Sequence, residues 1–264
     1  MNTLHPLMEH YSLLTQIVLA YLLILAVVFF DFKNRIGVWK ELLPTSVSSF
    51  IQLLLVAVVI LYLVKVKNVG LALLLILVMT FNASFIASRR FKLSAYPKWG
   101  VFIAAFVAIA VVNYFLLVIY TVLNILKVAP QQIVPFAGLL LAAGMRSVSL
   151  FSQYLKDLIT AEKEILEGMF ALGSSPAEVR EYLLKKAIPL ATVVIRDMLK
   201  AAGIVHIPGV MVGLLLAGTP PLVAATMQFL VLASMLFSMF FTPIIFFTLL
   251  TKLQGIFLEK EETT

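Results

Sequence analysis

The sequence predicts an all-α, polytopic bundle of about seven transmembrane helices. Three observations predict it. Of 264 residues, 62% are hydrophobic; only 12% are charged; and apolar runs of about twenty residues, enough to cross a hydrocarbon core, recur between short clusters of lysine and arginine. A soluble domain carries about 25% charged residues, and a larger core cannot absorb the deficit, because any single domain keeps a surface to wet. The net charge of +7 is not accompanied by a basic stretch interleaved with aromatics, so nucleic acid is excluded as a partner and the bilayer is the expected one. With no cysteine, disulfides, thiolate metal sites and thiol nucleophiles are excluded as well.

The spans are expected near 12–30, 42–64, 69–88, 100–126, 131–154, 187–217 and 222–250. Met1 to Tyr11 has neither Lys nor Arg, so the first run reads as a retained span and not as a cleaved leader. The sixth span is interrupted by Arg196, Asp197, Lys200, Gly203, Pro208 and Gly209, and is expected to be broken, its first part at the cytoplasmic surface. Cations fall in alternate loops: Lys33, Arg35 and Lys40, then Arg89, Arg90, Lys92 and Lys98, then Lys156, Lys163, Arg180, Lys185 and Lys186. The loops between hold only Lys65 and Lys67, and then Lys127. The positive-inside rule places the N-terminus outside and the C-terminus, with Lys252 and Lys260, in the cytoplasm of a multi-pass plasma (inner) membrane protein. The whole chain, 1–264, reads as one transmembrane domain whose sole sizeable excursion is 155–186.

That excursion carries "EGMFALGSSPAE", Glu167 to Glu178. The run before it continues helically out of the fifth span, with Ile159, Ile165, Leu166, Met169 and Phe170 as its apolar face. Gly173 is a C-terminal stop. Ser175 can cap the next helix, Pro176 suits its first position, and Glu178 completes a Ser-x-x-Glu capping box. Helix, tight turn and short amphipathic helix are expected at the membrane surface, although an ordinary solvated loop would use the same residues.

The stretch resembles the EAA loop of ABC transporter permeases, with Glu167, Gly173, Ser175 and Pro176 at matching positions. Gly168 and Met169 stand where that loop has alanines, and Pro189 lies about one helical turn late. The segment from Asp197 to Gln228 is similar to the signature of the FetB-type iron-export permease family, which is related to plant aluminium-tolerance permeases. Asp197, Lys200, Gly203, Pro208, Gly209, Met211, Gly213, Gly218, Pro221 and Gln228 carry the match, with Gln52, Asn82 and "VPFAG" at 134–138 beyond it. Two positions depart from the pattern. Ser48 replaces an arginine, and Ala142, Ala143, Gly144 and Met145 replace Gly-Asn-Ala-Met, with Arg146 following.

The resemblance implies a non-catalytic permease subunit that works as two copies with two copies of a separate ABC ATPase. ATP and Mg would be bound by that partner, and no cofactor by this chain. Glu167, Gly173, Ser175, Pro176 and Glu178 would form the ATPase-coupling element. The implied cargo is a metal ion, iron first, with other metals or sugar nucleotides admitted. This chain has no phosphate-binding G-x-x-x-x-G-K-[ST] loop, H-E-x-x-H or G-x-S-x-G motif. An ATP-independent channel or secondary carrier is the rival, but such carriers use internal repeats or acids buried in their spans.

Intramembrane polar residues are functional candidates because lipid penalises them. Arg146 contacts cargo, snorkels to headgroups or makes a structural pairing. Asp197 and Lys200, three apart on a helix, can pair. Gln52 and Asn82 suit interhelical hydrogen bonds or a cargo. The run Pro208, Gly209, Met211 and Gly213, with Gln228 after it, breaks the sixth span and either lines a pathway or packs closely through its glycines. His5, Glu9 and His10 could bind an exterior metal, His206 reads as a packing histidine, and the scattered methionines read as packing.

Overall fold

A computed structural model describes the backbone of residues 5–93, 96–205 and 207–255, and side chains from residue 13 onward except that of Gln254. The side chains of His5, Glu9 and His10, together with His206 and Lys260, lie outside the described residues. The described chain forms ten helices in two compact units divided between Val66 and Lys67. Six helices are long and apolar enough to cross a membrane.

The first unit is a helical hairpin of α1 (His5–Asn34) and α2 (Trp39–Val66). Asp31 is buried at the end of α1, and its carboxylate accepts from the amides of Val38 (3.1 Å) and Trp39 (2.7 Å). An acid is tolerated there because it satisfies amides that a helix start leaves unpaired.

The second unit contains α3 (Val69–Arg90), α4 (Lys98–Val122), α5 (Pro130–Ala161), α6 (Lys163–Ala171), α7 (Pro176–Ala191), α8 (Val193–Ala201), α9 (Gly209–Leu216) and α10 (Pro221–Gln254). Helix α5 is its hub, packing on α3, α4, α7 and α10. Its inner face is largely apolar, with Ala137, Leu140, Phe151 and Leu155 fully buried. Gly144 lies where α5 meets the middles of α4 and α10. A Cβ on it would sit 3.0 Å from Asn113 Nδ2 and 3.2 Å from Ser238 Oγ. Those neighbours cannot swing away freely. Asn113 Nδ2 donates to the Ile109 carbonyl at 2.6 Å, and Ser238 Oγ donates to Asn113 Oδ1 at 2.8 Å.

One end of this unit is basic. The α3–α4 connection folds onto the end of α10, where Tyr96 donates to the Gly255 carbonyl at 3.0 Å and Phe91 packs edge-on to Phe246. Arg180 of α7 reaches Thr251 at 3.5 Å. The opposite end is closed by Tyr120, bonded to Ser234 at 2.7 Å and packed on Phe136.

The region expected as the sixth span, 187–217, is indeed in pieces: the last turns of α7, then α8, then α9. Helix α9 has eight residues, about 12 Å of axis, far short of a hydrocarbon core of about 30 Å. Helices α7 and α8 are nearly continuous, interrupted at Thr192. Only α7 begins at the basic end. Helix α8 is not surface-bound there: Ile195 is buried in a cluster with Leu116, Leu126, Phe136 and Val231, in the opposite half of the bundle. Its placement follows from an amphipathic sequence whose apolar side, with Ile195, needs a core and finds one in that half.

Gly144→Val should therefore destabilise the protein by about 1–3 kcal/mol, as overpacking does. Gly138→Ala should be close to neutral, because the nearest atom to its Cβ is the mobile Met79 methyl. Thermal unfolding of the detergent-solubilised chain checks both.

Candidate functional site

The five residues expected at the corner between α6 and α7 are brought together by two standard helix ends. Helix α6 stops in a Schellman turn: the Ser174 amide donates to the Met169 carbonyl (2.9 Å), and the Gly173 amide to that of Phe170 (3.0 Å). Gly173 has φ +89, a region that costs any other L-residue. Helix α7 then starts with Ser175 as N-cap, Pro176 in first position, and a complete capping box. The Glu178 carboxylate accepts from the Ser175 amide at 2.7 Å, and the Glu178 amide donates to Ser175 Oγ at 3.3 Å. Hydrogen bonds from Ser175 hold the Glu178 carboxyl below the usual carboxylate range.

Glu167 is exposed and makes no ion pair or hydrogen bond among the described residues. At the tip Leu172 is 90% exposed. Beneath, Leu166, Val179 and Leu183 are fully buried. Of the apolar face expected for α6, Leu166 and Ile159 are buried, Met169 and Phe170 half-buried, and Ile165 exposed. The chain turns at Glu162 between α5 and α6, so α6 does not continue the phase of the fifth span.

The same Glu162 clamps the corner. Its carboxylate accepts from Tyr182 at 2.7 Å and from Lys186, whose ammonium also donates to Tyr182 Oη at 2.7 Å and lies 4.6 Å from that ring. The Lys186 hydrogen bond, then that of Tyr182, lowers the Glu162 carboxyl below 4.5. The reciprocal bond from Glu162 raises Lys186 above its ordinary value. Sequence reading missed this clamp, because its members are 20 and 24 residues apart.

The broken segment is equally well bonded. A helix start leaves its first amides without partners, and at α9 the carbonyl oxygen of Gln228, buried on α10, accepts from the Met211 amide at 3.2 Å. Two candidates thus meet directly. Pro208 is buried, whereas Gly209 and Gly213 have open space where a side chain would stand. Close packing within this chain does not require those two glycines. A second Schellman turn at Gly218 (φ +82) swings α9 into α10, with the Thr219 amide donating to the Leu214 carbonyl at 2.9 Å. At the α7–α8 break the Arg196 guanidinium donates to the Pro189 carbonyl, which no following helical amide reaches.

The remaining candidates are dispersed. Asp197 and Lys200 pair at 3.3 Å on the exposed side of α8. Gln52 is exposed on α2, bonded to Ser48 at 3.4 Å. Asn82 is exposed on α3 and Arg146 on α5, neither with a hydrogen-bonding or ionic partner among the described residues. No group of three or more His, Cys, Asp or Glu among the described residues could hold a metal ion.

Two outcomes are expected. Gln228→Leu should speed hydrogen exchange at the Met211 amide roughly fivefold, the loss of about 1 kcal/mol. Protection of α6 and α7 should hold across neutrality, because the clamp's carboxylate contribution persists above the ordinary carboxylate range. It should be lost as pH falls through the lowered value of Glu162. Glu162→Gln should reduce that acid dependence to the part contributed by the Glu178 capping box, read by exchange at several pH values.

The pattern of the family described as "Uncharacterised protein family (UPF0014)" matches residues 14–254. The chain is 28% identical over 213 residues to the "Probable iron export permease protein FetB" of Escherichia coli K12, covering 81% of each. It is 26% identical to "Protein ALUMINUM SENSITIVE 3" of Arabidopsis thaliana, covering 82% of this chain and 78% of that one. It is 25% identical to the "UPF0014 membrane protein YjkA" of Bacillus subtilis, covering 86% and 89%. No solved structure gives a significant match. The family pattern covers nearly the whole chain, including all six helices long and apolar enough to cross a membrane, and the chain belongs to the UPF0014 family.

Proposed function

We propose that this chain is the membrane subunit of an ABC transporter, that two copies work with two copies of a separate ATPase, and that the cargo is a metal ion, iron first, moved outward. One observation carries the reading. The corner between α6 and α7 ends one helix and starts the next with no slack, is clamped by Glu162 to α5 and α7, and projects an unpaired Glu167 beside the exposed Leu172. On a protein otherwise wrapped in lipid, a rigid acidic and apolar knob suits a protein cleft better than a headgroup layer.

The distribution of cations supports a cytoplasmic position for it. The basic end of the second unit holds Arg89, Lys92, Lys98, Lys156 and Arg180, and by the positive-inside rule that end faces the cytoplasm, with the N-terminus outside. There an ATPase could reach the corner. Closure of the ATPase dimer would press on α6, and the buried Leu166, Val179 and Leu183 would pass the displacement to α5 and α7 as packed elements. The iron assignment is supported by the name of the bacterial relative.

The test is co-purification with the candidate stand-alone ATPase and measurement of ATP hydrolysis. Wild type should form a complex. Glu167→Ala, Leu172→Asp and Gly173→Pro should each dissociate it or uncouple hydrolysis by about tenfold or more, the loss of about 1.4 kcal/mol of docking energy. Failure of any ATPase to associate, or indifference to all three changes, would leave the corner a solvated turn.

A further inference from the structure

Building on the permease reading, we infer that the cargo crosses as an anion, either an oxyanion-bearing molecule or a metal held in a net-negative oxyanion chelate, and that Arg146 draws it in.

Arg146 lies midway along α5, on its exposed face. It is about 22–24 Å along the axis from either end of α5 and about 15 Å from Lys156 at the basic end. Two residues away, Gly144 touches the middles of α4 and α10. The half-thickness of a hydrocarbon core is about 15 Å, so neither interface is within reach of the guanidinium. The side chain is exposed and unpartnered among the described residues. An arginine left against lipid at that depth costs about 3 kcal/mol or more.

From Arg146 toward the basic end one face of the helix is polar. Arg146, Gln153 and Asp157 are exposed, with Ser149 half-buried between them, at spacings of three or four residues, whereas the exposed residues on the other side are Ala142 and Pro135. The opposite face of α5 is fully buried. A stripe of this composition suits water and not acyl chains.

Among the described residues no counter-charge is available. The acidic residues of the described chain lie near helix ends or in the α6–α7 corner, and Asp197 already pairs with Lys200. A second copy would bring only another Arg146 to the same depth, and the two would repel. A cation fixed midway along a membrane-length helix, on a face that suits water and with no acid beside it, attracts anions and opposes bare metal cations.

Because the chain has no cysteine, single-cysteine variants report without background. Ala142→Cys and Gln153→Cys, in nanodiscs, are labelled with a sulfonate-bearing and an ammonium-bearing methanethiosulfonate. The rate ratio is compared with Arg146 present, with Arg146→Gln, and with the charge-keeping Arg146→Lys. Both positions should label from water, with the sulfonate favoured. The preference should fall about threefold or more in Arg146→Gln and be kept in Arg146→Lys. Protection by citrate or inorganic phosphate would identify a free oxyanion, and protection by ferric citrate without citrate alone a chelated metal. Labelling only by a lipid-soluble maleimide, a ratio indifferent to residue 146, or protection by ferrous ion alone would overturn the inference. Labelling needs no ATPase. Loss of the ATPase complex with the ratio intact removes only the ABC reading, and an intact complex without the ratio removes only this one.

Discussion

A backbone amide or carbonyl in hydrocarbon has no water to bond, and every departure from helix inside a membrane must replace the bond it loses. The second unit departs from helix repeatedly, and three of its departures are met by identified residues. Arg196 takes the Pro189 carbonyl, Gln228 takes the Met211 amide, and Gly218 permits the turn that joins α9 to α10. The polar residues that make this segment conspicuous therefore have structural duties first. Open space remains beside Gly209 and Gly213, where an added Cβ would meet nothing within 4 Å.

The same economy explains the division between rigid and adaptable regions. The α6–α7 corner is over-determined: a Schellman turn, a capping box and the Glu162 clamp all fix a few residues. At the middle of the bundle, Gly144, Asn113 and Ser238 leave no room for sliding between α4, α5 and α10. Between these fixed points lies the α7–α8 break at Thr192, where helix hydrogen bonding is weakest and a side chain completes it. Motion entering at the corner has a natural place to be taken up.

How much of this was legible in the sequence depended on distance along the chain. Gly173, Ser175 and Glu178 announced their turn and cap because those devices act within five residues, and the Asp197–Lys200 pair followed from helical spacing. The break in the sixth span was legible from Pro208 and Gly209. The Glu162–Lys186 clamp and the Gln228–Met211 bond were not, because they depend on the register between helices that no local pattern encodes. Close packing through Gly209 and Gly213 was a reasonable expectation that open space replaced, whereas the crowded glycine was Gly144. Arg146 stood out at once, but its depth became plain only when α4 and α10 supplied a level to measure it against. Its polar stripe could have been found earlier by tracing α5 at intervals of three and four.

Helix α5 is the least apolar of the six membrane-length helices and has the largest buried share. It carries a central arginine on one face and a contact surface for four other helices on the opposite one. Such a segment is a poor substrate for spontaneous partition from the translocon into lipid, since arginine at mid-helix opposes insertion by about 2.5–3.5 kcal/mol. The order of biogenesis follows from that. Helices α3 and α4 precede α5 in the chain and are more apolar, so they can enter the bilayer first and present a surface on which α5 is retained, with α10 closing the groove afterwards. The residue that puts a charge midway along the fifth helix is thus also the one that makes that helix depend on its neighbours to enter the membrane.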